Sequence, residues 1–393
     1  MQRLWSRHWR IFTYTLPERR GEERAMRLYR MELFKLMHGK FFLAGLPVIL
    51  AMLLLYFAFV CVGDERAVVN GKVYTGCEAV REDREITKEF TGPLDDETAE
   101  QIIERYGFPS KVEEYYGGFR DENYLNGFVT EYLGNGYMRS WDDYQVSTAL
   151  IPVSQTDLGR AAEVSGEEII LDYTKGWSVL LDMLQLGMIL GSVLILVSVS
   201  PVFAEERQCG MSALLFTSEE GRERDVTAKI AAAFTLTAVV YAAVVLSVFL
   251  SVGAVYRLEG GDCMTGIVTD SLNPFNLVTM KPVRFFVLLS LGADGLALMA
   301  LCAVVLCVSA HFETLFYTVA VSGIIWMLPM LIRIMFGGLG YIVICGTPLF
   351  LVMTGVLLDA YRMILIPAAV GACILIFCTL NGRRTYMLSE GGR

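Results

Sequence analysis

The chain has 393 residues, of which 54% are apolar and only 19% are charged, and its net charge at pH 7 is −9. Soluble globular domains are about a quarter charged, so this composition excludes an ordinary soluble domain and favours a membrane protein. The basic start, residues 1–40 with ten Arg or Lys against four Glu, abuts an apolar stretch. It is therefore expected to be a cytoplasmic membrane flank and not a nucleic-acid-binding arm.

Six stretches of the chain are long and apolar enough to form membrane-spanning helices. A span needs about 20 predominantly apolar residues to cross about 30 Å of hydrocarbon. The first stretch lacks a small-residue cleavage site, which favours a signal anchor over a removed signal peptide. The predicted fold class is an all-α polytopic membrane protein with about six transmembrane helices and an α+β extracytoplasmic domain between helices 1 and 2. The predicted spans are 41–62, 177–204, 229–256, 285–310, 315–336 and 361–380.

The apolar run before the last predicted span, residues 337–360, is interrupted by glycine, proline and charged residues. These interruptions predict an irregular or re-entrant outer segment. A seventh span in its place is the main alternative, and it would put the tail 381–393 outside. Arg383 and Arg384 lie in that tail, where the positive-inside rule favours a cytoplasmic position and hence six spans.

The basic flank also sets the predicted topology, because it sends the first span outward. The chain then alternates between the two sides of the membrane. The predicted cytoplasmic parts are the N-terminal and elbow segment 1–40, the loop 205–228 and the tail 381–393. The predicted outer parts are the domain 63–176, the loop 257–284 and the irregular segment 337–360.

The predicted outer domain is acidic and has a mixed pattern. Between Asp64 and Lys175 there are 24 Asp or Glu against 11 Lys or Arg. The piece Lys72–Thr75 is typical of a strand, and Leu94–Tyr106 has apolar residues at helical spacing. Asp95 or Asp96 is expected to cap that helix at its start, and Gly107 is expected to end it.

No pattern in the chain predicts catalysis, a cofactor or a metal site. The nine cysteines and three histidines contain no pair at metal-binding spacing, and no phosphate-binding loop is present. We therefore expect no ATP hydrolysis by this chain and no catalytic residue in it. Cys77 and Cys263 would both face outward, so a disulfide between them is left open.

The loop after the second predicted span carries the most informative pattern. An acidic pair leaves the membrane, a glycine permits a turn, and residues 211–216 are typical of a short amphipathic helix. Exposed apolar side chains at a membrane-proximal turn require a protein partner, with lipid headgroups as the alternative. The candidate coupling residues are Glu205, Glu206, Gly210, Leu214, Leu215, Phe216, Gly221 and Arg222.

This loop resembles the permease subunits of type 2 ABC transporters. The family has Phe, an acidic residue, Gly, Leu-Leu, Gly-Arg and Lys after its second span. The piece 31–36 also resembles the family's amphipathic elbow helix before the first span. Family members usually lack an outer domain as large as residues 63–176. The matching residues here are Phe203, Glu205, Glu206, Gly210, Leu214, Leu215, Gly221, Arg222 and Lys229.

The resemblance implies a coupling helix at about 209–218 that docks on a separate cytoplasmic ABC ATPase, and that subunit would hold ATP and Mg²⁺. It also implies a second permease subunit, identical or related, with the substrate path between the two. The expected location is the bacterial cytoplasmic membrane, with the N-terminus in the cytoplasm, and the expected direction is export. The substrate is not specified by the sequence.

Two intramembrane charges are candidates for the transport path. Asp294 lies nine residues into the fourth predicted span, and Arg333 lies near the outer end of the fifth. A charge at the bilayer centre costs about 2.5–3.5 kcal/mol, so Asp294 must face protein or water. Asp294 would either contact a substrate or ion or form a structural hydrogen bond between helices. The sequence leaves both roles open. A direct ion pair with Asp294 would require the Arg333 side chain to extend toward the membrane centre.

Glycines within the predicted spans are expected to allow close helix packing, which is their ordinary use in membranes. A missing side chain lets two backbones approach each other. The candidates are Gly253, Gly292, Gly295 and Gly323.

Three other classes of membrane protein compete with the transporter interpretation. A mechanotransmitting permease moves its outer domain without passing a substrate, but it has four spans and a far larger outer domain. A receptor or immunity-type protein would bind an extracellular peptide through residues 63–176 and would need no ATPase. A secondary transporter would need several ionisable residues deep in the membrane. In this chain Asp294 is nearly the only one.

Overall fold

The chain is mostly helical in its computed structural model, which describes residues 16–109, 121–135, 149–211, 223–269, 279–337, 343–344, 346–354, 357 and 364–389. In chain order the helices are α1 (Leu16–Met37), α2 (Lys40–Tyr56), α3 (Cys77–Lys88), α4 (Asp96–Tyr106), α5 (Tyr124–Leu133), α6 (Asp157–Ser165), α7 (Lys175–Val199), α8 (Pro201–Gln208), α9 (Arg224–Tyr256), α10 (Thr265–Val268), α11 (Val283–His311), α12 (Leu315–Phe336) and α13 (Leu365–Ser389).

Six helical stretches are long and apolar enough to cross a membrane, which confirms the predicted number for the described residues. Each overlaps its predicted span, and the fifth coincides with it. The second stretch joins α7 to α8, and the first continues α2 through a π-helical turn. The six are Lys40–Cys61, Lys175–Gln208, Arg224–Tyr256, Val283–His311, Leu315–Phe336 and Leu365–Leu388.

Two of these stretches form the centre of the bundle. In the most apolar part of Lys175–Gln208, 67% of the residues are buried, and in that of Val283–His311 the share is 56%. The other four stretches have only 17% to 22% buried. Apolar side chains on the outer helices therefore face away from the protein, as the membrane environment allows. α7 and α11 supply most of the inner packing surface.

Residues 63–174, the inserted segment, join α2 to α7 and contain all four strands of the described residues. β1 (Arg66–Val69) pairs antiparallel with β2 (Lys72–Thr75). β2 coincides with the strand predicted from the sequence. Their turn, Asn70-Gly71, has positive φ at both residues, the geometry that favours this dipeptide in hairpins. A second ladder joins β3 (Gly92–Pro93) to β4 (Ile170–Leu171).

The inserted segment contributes most of a small apolar core, which also includes Met264, Ile267 and Met280 and to which α4 contributes. The carboxylate of Asp95 accepts a hydrogen bond from the Thr98 N–H at 2.8 Å and caps the helix. Gly107 ends it with a φ of +71°. Both predicted ends of this helix are therefore confirmed. The core is formed mainly by Val69, Ile102, Leu125, Leu133, Leu158 and Leu171.

Buried polar contacts link the inserted segment to the end of the bundle beside it. The Tyr256 hydroxyl lies 2.8 Å from both the Glu65 carboxylate and the Cys61 carbonyl, and these two acceptors share its one proton. Glu65 also forms an ion pair with Lys175 at the start of α7. A second link is Arg84, whose guanidinium pairs with the Glu259 carboxylate at 2.5 Å. The segment is thus bonded to both α7 and α9.

One question left open by the sequence has a structural answer, and a second has a partial answer from the described residues. Cys77 and Cys263 are both free thiols, so no disulfide joins them. Within 337–360, the described residues include a buried 3₁₀ helix, Pro348–Val352, that packs against α11. Six candidate spans are found among the described residues, and none of them lies in this region.

The glycines that allow close packing are not the predicted ones. A β-carbon at Gly253 or Gly292 would have no neighbour within 4 Å, and one at Gly295 or Gly323 would make only ordinary contacts. Their positions face away from neighbouring helices or toward loosely packed side chains. The close approaches between spans occur instead at Gly45, Gly176, Gly187 and Gly382. Sequence position within a span does not reveal which side of the helix meets a neighbour.

We predict that Gly187→Leu lowers the stability of the bundle. A β-carbon at Gly187 would lie 2.5 Å from Val244 Cγ1 and 3.4 Å from Leu53 Cδ1, where α2, α7 and α9 meet. Overpacking of this kind costs about 1–3 kcal/mol. The measurement is the apparent melting temperature in detergent. Gly292→Leu, at an exposed position with open space, is the matched control and should change little.

The buried Asp83 carboxyl should make the inserted segment less stable as pH rises. Burial raises its pKa to about 7 from an ordinary 3.8, against the opposing hydrogen bond from the Tyr124 N–H at 3.0 Å. A folded-state pKa above the unfolded value gives stability that is present below about pH 4 and lost as pH rises through about 7. The expected loss from pH 5 to 8 is about 3 kcal/mol.

Hydrogen exchange of α3 and α5 across this pH range provides the measurement for Asp83. Asp83→Asn, which resembles the protonated carboxyl, should flatten the pH dependence. Asp157→Asn, a change at an exposed carboxylate, should leave it intact. Equal pH dependence in the wild type and in Asp83→Asn would contradict the assignment.

Candidate functional site

The predicted coupling residues lie partly within the described chain. Glu205, Glu206 and Gly210 are described. The apolar cluster and the Gly-Arg pair that follow lie outside the described residues, so their predicted positions stay predictions; these are Leu214, Leu215, Phe216, Gly221 and Arg222. The candidate site is therefore built from the residues at the two ends of this loop.

Lys229 lies at the centre of a buried ionic cluster, formed with Glu32, Lys35, Glu206 and Asp225. Its side chain is only 1% exposed. The ammonium forms a hydrogen-bonded ion pair with Asp225, one helical turn earlier on α9. It also lies 3.2 Å from Glu206 Oε1 and 3.5 Å from Glu32 Oε1. Helices α1, α8 and α9 therefore meet at one charge.

The buried part of this cluster has more negative than positive groups, because three carboxylates surround one buried ammonium. Lys35 supplies a second cation, with its Nζ 3.4 Å from Glu206 Oε1, but its side chain is about half exposed. Burial raises the pKa of the Glu32 carboxyl, and the ammonium groups of Lys229 and Lys35 oppose that rise. Buried carboxylates require such partners, since an unpaired charge is costly away from water.

The last helix joins the same cluster through Tyr386. Its hydroxyl donates to Glu206 Oε2 at 2.9 Å. Its ring packs on Phe203 with centroids 4.3 Å apart, and the Arg207 guanidinium lies 5.1 Å from the ring centroid. α13 is thereby bonded to α8 at the residue that also binds Lys229. Glu206 is the acceptor common to three elements.

A serine from α11 fixes the junction between α7 and α8. Pro201 begins α8 and supplies no backbone N–H at this junction. The Ser309 hydroxyl accepts from the N–H groups of Phe203 and Ala204 at 3.1 and 3.0 Å, and it donates to the Ser200 carbonyl at 2.8 Å. These bonds satisfy backbone groups that a helix start leaves open. The direction in which α8 leaves the bundle is thus set by α11.

Gly210 ends α8 in the way its sequence position predicts. Its φ is +68°, a left-handed conformation that favours glycine. The Met211 N–H bonds to the Glu206 carbonyl at 2.9 Å, and the Gly210 N–H bonds to the Arg207 carbonyl at 3.0 Å. This pair of bonds is a Schellman motif, which reverses the chain direction. The loop therefore departs directly from the ionic cluster.

Asp294 is buried in the bundle, about 16 Å along the α11 axis from Val283. The interhelical hydrogen bond considered for it is not found among the described residues. The nearby Tyr241 hydroxyl donates instead to the Leu291 carbonyl at 2.8 Å. One turn earlier on α11, the buried Ser290 hydroxyl also has no hydrogen-bond partner among the described residues. α11 thus carries, one turn from the buried Asp294, a buried hydroxyl without a partner among the described residues.

Arg333 lies in the last turn of α12 and is partly exposed. The ion pairs of the described residues do not join it to Asp294. The two candidates for the transport path are therefore separate features. Within the described part of the chain, no group of three or more His, Cys, Asp or Glu side chains could hold a metal ion.

The residues of this site that sequence reasoning missed include Ser309 and Tyr386. Neither has a local signal, since a serine or tyrosine near the end of an apolar helix is common. Asp225 did have a local sequence signal, because an acidic residue four positions before Lys229 lies on the same helix face. The clustering of these residues depends on which helices are neighbours, and hydrophobic periodicity does not specify that.

We predict that Lys229→Met destabilises the protein by about 3–5 kcal/mol, because it leaves buried carboxylates without their cation. The apparent melting temperature in detergent measures the loss. Adding Glu206→Gln to the same chain removes one of those carboxylates and should restore part of the stability.

Lys281→Met is the matched control for Lys229→Met. It breaks an exposed ion pair with Glu167, 3.3 Å long, whose two side chains are each about half exposed. Surface pairs of this kind contribute about 0–1 kcal/mol. Equal losses of stability in the two variants would show that the buried ion pairs of Lys229 stabilise the protein no more than an exposed pair does.

Comparison with known proteins does not identify a family for the chain. No protein-family model, no curated protein and no solved structure matches it. Three residues of the type 2 ABC permease pattern, Glu206, Gly210 and Lys229, nonetheless lie together where α8 ends and α9 begins. Function is therefore inferred from the chemistry of these residues and from their position.

Proposed function

We propose that this chain is the permease subunit of an ATP-driven transporter of the type 2 ABC class, coupled to a separate ATPase subunit. The observation that carries the proposal is the ionic cluster centred on Lys229. It links α1, α8, α9 and α13 at the base of the loop 209–222. A partner that moved this loop would act on four helices at once.

In this proposal, the loop is the coupling element that receives motion from the ATPase. Leu214, Leu215 and Phe216 would dock in an apolar groove of that partner, and ATP with Mg²⁺ would be held there. α8 is short, is fixed to α11 through Ser309 and ends at Gly210. Displacement of the loop would therefore pass into the bundle rather than bend a free linker.

We further propose the orientation that the basic flank predicts. The end of the bundle with α1, Gln208, Arg224 and Leu315 would face the cytoplasm of a bacterial cell. The inserted segment would then be the extracytoplasmic domain. Its ion pairs with Lys175 of α7 and with Glu259, just after α9, would hold it at the outer membrane surface.

A second permease subunit, identical or related, completes the proposed transporter. The outer helices carry apolar side chains that face away from the chain. On α12, Phe316, Ile334 and Met335 are 75%, 69% and 77% exposed. Lipid and a second subunit would share such surfaces. Substrate would pass between the subunits, with Asp294 and Arg333 as candidate contacts, and export is the proposed direction.

A receptor or immunity-type function is the second candidate, and so is a mechanotransmitting permease. The observation that favours them is the apolar core centred on the inserted segment, which is distinct from the core of the bundle. A segment with such a core can bind an extracellular partner without any passage of substrate. Only the transporter and mechanotransmitting proposals require an ATPase partner.

Affinity purification in mild detergent tests the proposal. An ABC ATPase should co-purify with the wild type and give measurable ATP hydrolysis. Leu214→Asp with Leu215→Asp should abolish both, because the loop could no longer bury its apolar side chains against the partner. The matched control is Val73→Asp with Val164→Asp, two exposed apolar residues of the inserted segment.

The outcomes separate the candidates that require an ATPase from the receptor interpretation. Loss of the ATPase in the loop variant but not in the control supports a coupling helix. If the wild type brings down no ATPase, the receptor interpretation replaces the transporter. A melting temperature equal to that of the wild type is required of both variants before their partners are compared.

A further inference from the structure

Two cysteine side chains meet where α11 packs against α13. The thiols of Cys307 and Cys378 are hydrogen-bonded to each other, although they belong to different candidate spans. Both residues are partly exposed, and both thiols are free. The pair lies at the end of the bundle that carries α8, because Cys307 is two residues before Ser309, which bonds to the start of α8. It is separate from the ionic cluster centred on Lys229.

The two helices approach each other closely at this point. A β-carbon at Gly382 would lie only 3.0 Å from Cys307 Cα, so the glycine is what permits the contact. Cys378 lies four residues before Gly382 and therefore on the same face of α13. Two cysteines can be bridged without backbone movement only where their Cα atoms lie within about 7 Å of each other. Contact between the sulfurs and close approach of the backbones both favour such a spacing.

The Cys307 sulfur has polar neighbours as well as a thiol. The Asn381 amide donates to Cys307 Sγ at 3.5 Å, and the imidazole of His311 lies beside the same sulfur. The ring of His311 is held in place, since its Nδ1 lies 2.8 Å from the Cys307 carbonyl oxygen. A hydrogen-bond donor at sulfur stabilises the negative charge that a cysteine carries when it attacks as a nucleophile. Cys307 is thus the member of the pair that is surrounded for attack.

Exposure alone would select other cysteines for modification. Cys77, Cys209 and Cys373 are all more exposed than either member of the pair. Cys373 lies on the same helix as Cys378, five residues earlier, and a rotation of about 140° puts it on another face of α13. A faster reaction at Cys307 than at Cys373 would therefore reflect the contacts of Cys307 and not its accessibility.

We propose that Cys307 and Cys378 form a redox-modification site, which hydrogen peroxide oxidises to a disulfide. The Cys307 sulfur attacks one peroxide oxygen, the O–O bond breaks, and a sulfenic acid and one water are formed. The Cys378 sulfur then attacks the sulfenic sulfur, the S–O bond breaks, and the hydroxyl leaves as a second water with the proton of the Cys378 thiol. Two electrons thus pass from the two thiols to one peroxide. A small-molecule thiol reverses the reaction by exchange.

A disulfide at this site would join the two helices that hold α8. α11 holds it through Ser309, and α13 does so through Tyr386, whose hydroxyl bonds to Glu206. In the proposed orientation this end faces the cytoplasm, where disulfides are usually transient and redox-sensing. An effect of the disulfide on coupling rests on the proposed function, whereas formation of the bond does not.

Thiol mapping of the full-length protein in mild detergent, read by mass spectrometry, tests the site. The reduced protein is treated with hydrogen peroxide, with or without dimedone to trap sulfenic acids, and the remaining thiols are then blocked with N-ethylmaleimide. The variants are Cys307→Ser, Cys378→Ser and Asn381→Leu. Cys373→Ser is the matched control, because it removes an exposed thiol from the same helix. A non-reducing gel separates bonds within one chain from bonds between chains.

In the wild type and in Cys373→Ser, the disulfide within one chain should form about tenfold faster than Cys373 of the wild type is oxidised. Cys378→Ser should accumulate the dimedone adduct on Cys307, because no second thiol removes the sulfenic acid. Cys307→Ser should give neither the disulfide nor an adduct on Cys378. Asn381→Leu should slow the first oxidation severalfold. Each reduced variant should melt at the wild-type temperature, and dithiothreitol should restore both thiols.

Three outcomes would overturn the proposal. Oxidation of Cys373 as fast as that of Cys307, or faster, would mean that exposure alone decides reactivity. A dimedone adduct on Cys307 of the wild type with no disulfide in the absence of dimedone would mean that the two sulfurs cannot bond. A disulfide that joins two chains would assign Cys307 or Cys378 to a contact between copies of the protein.

Discussion

The arrangement of one whole end of the bundle depends on a single buried ammonium, that of Lys229. Three carboxylates from three different helices approach it, and none of them could be buried there without a cation. The elements that supply them are far apart in sequence. α1 precedes the first candidate span, α8 ends the second and α9 begins the third. The cluster therefore sets which helices are neighbours more strictly than apolar packing alone does, since apolar contacts have no direction.

The opposite end of the bundle is held by the same chemistry. There the Glu65 carboxylate accepts from the Tyr256 hydroxyl and pairs with Lys175, just as Glu206 accepts from Tyr386 and pairs with Lys229. α9 contributes to both arrangements, with its lysine at one end and its tyrosine at the other, about 40 Å apart along the helix. Each arrangement supplies polar partners where the chain leaves its apolar environment.

The sequence predicts features that depend on neighbouring residues and misses those that depend on helix orientation. Apolar runs specified the six candidate spans, and local capping rules specified both ends of α4 and the reversal at Gly210. The partners Ser309 and Tyr386 could not be predicted, because nothing in an apolar helix shows which neighbour it meets. The prediction of the packing glycines was wrong for that reason, since Gly187 faces two helices and Gly292 faces none. Leu214 and Leu215 lie outside the described residues and remain predictions.

The position of α9 bears on how the proposed coupling would reach the far side of the membrane. Loop 209–222 lies between α8 and α9, so a force on it acts on Glu206 and Lys229 together. Because their ion pair is buried, separating the two helices would expose uncompensated charge, and movement of both as one body costs less. α9 would carry that movement to Tyr256 and hence to Glu65 at the base of the inserted segment. A permease and a mechanotransmitting protein would thus share this first step and differ only in whether substrate passes beside α11.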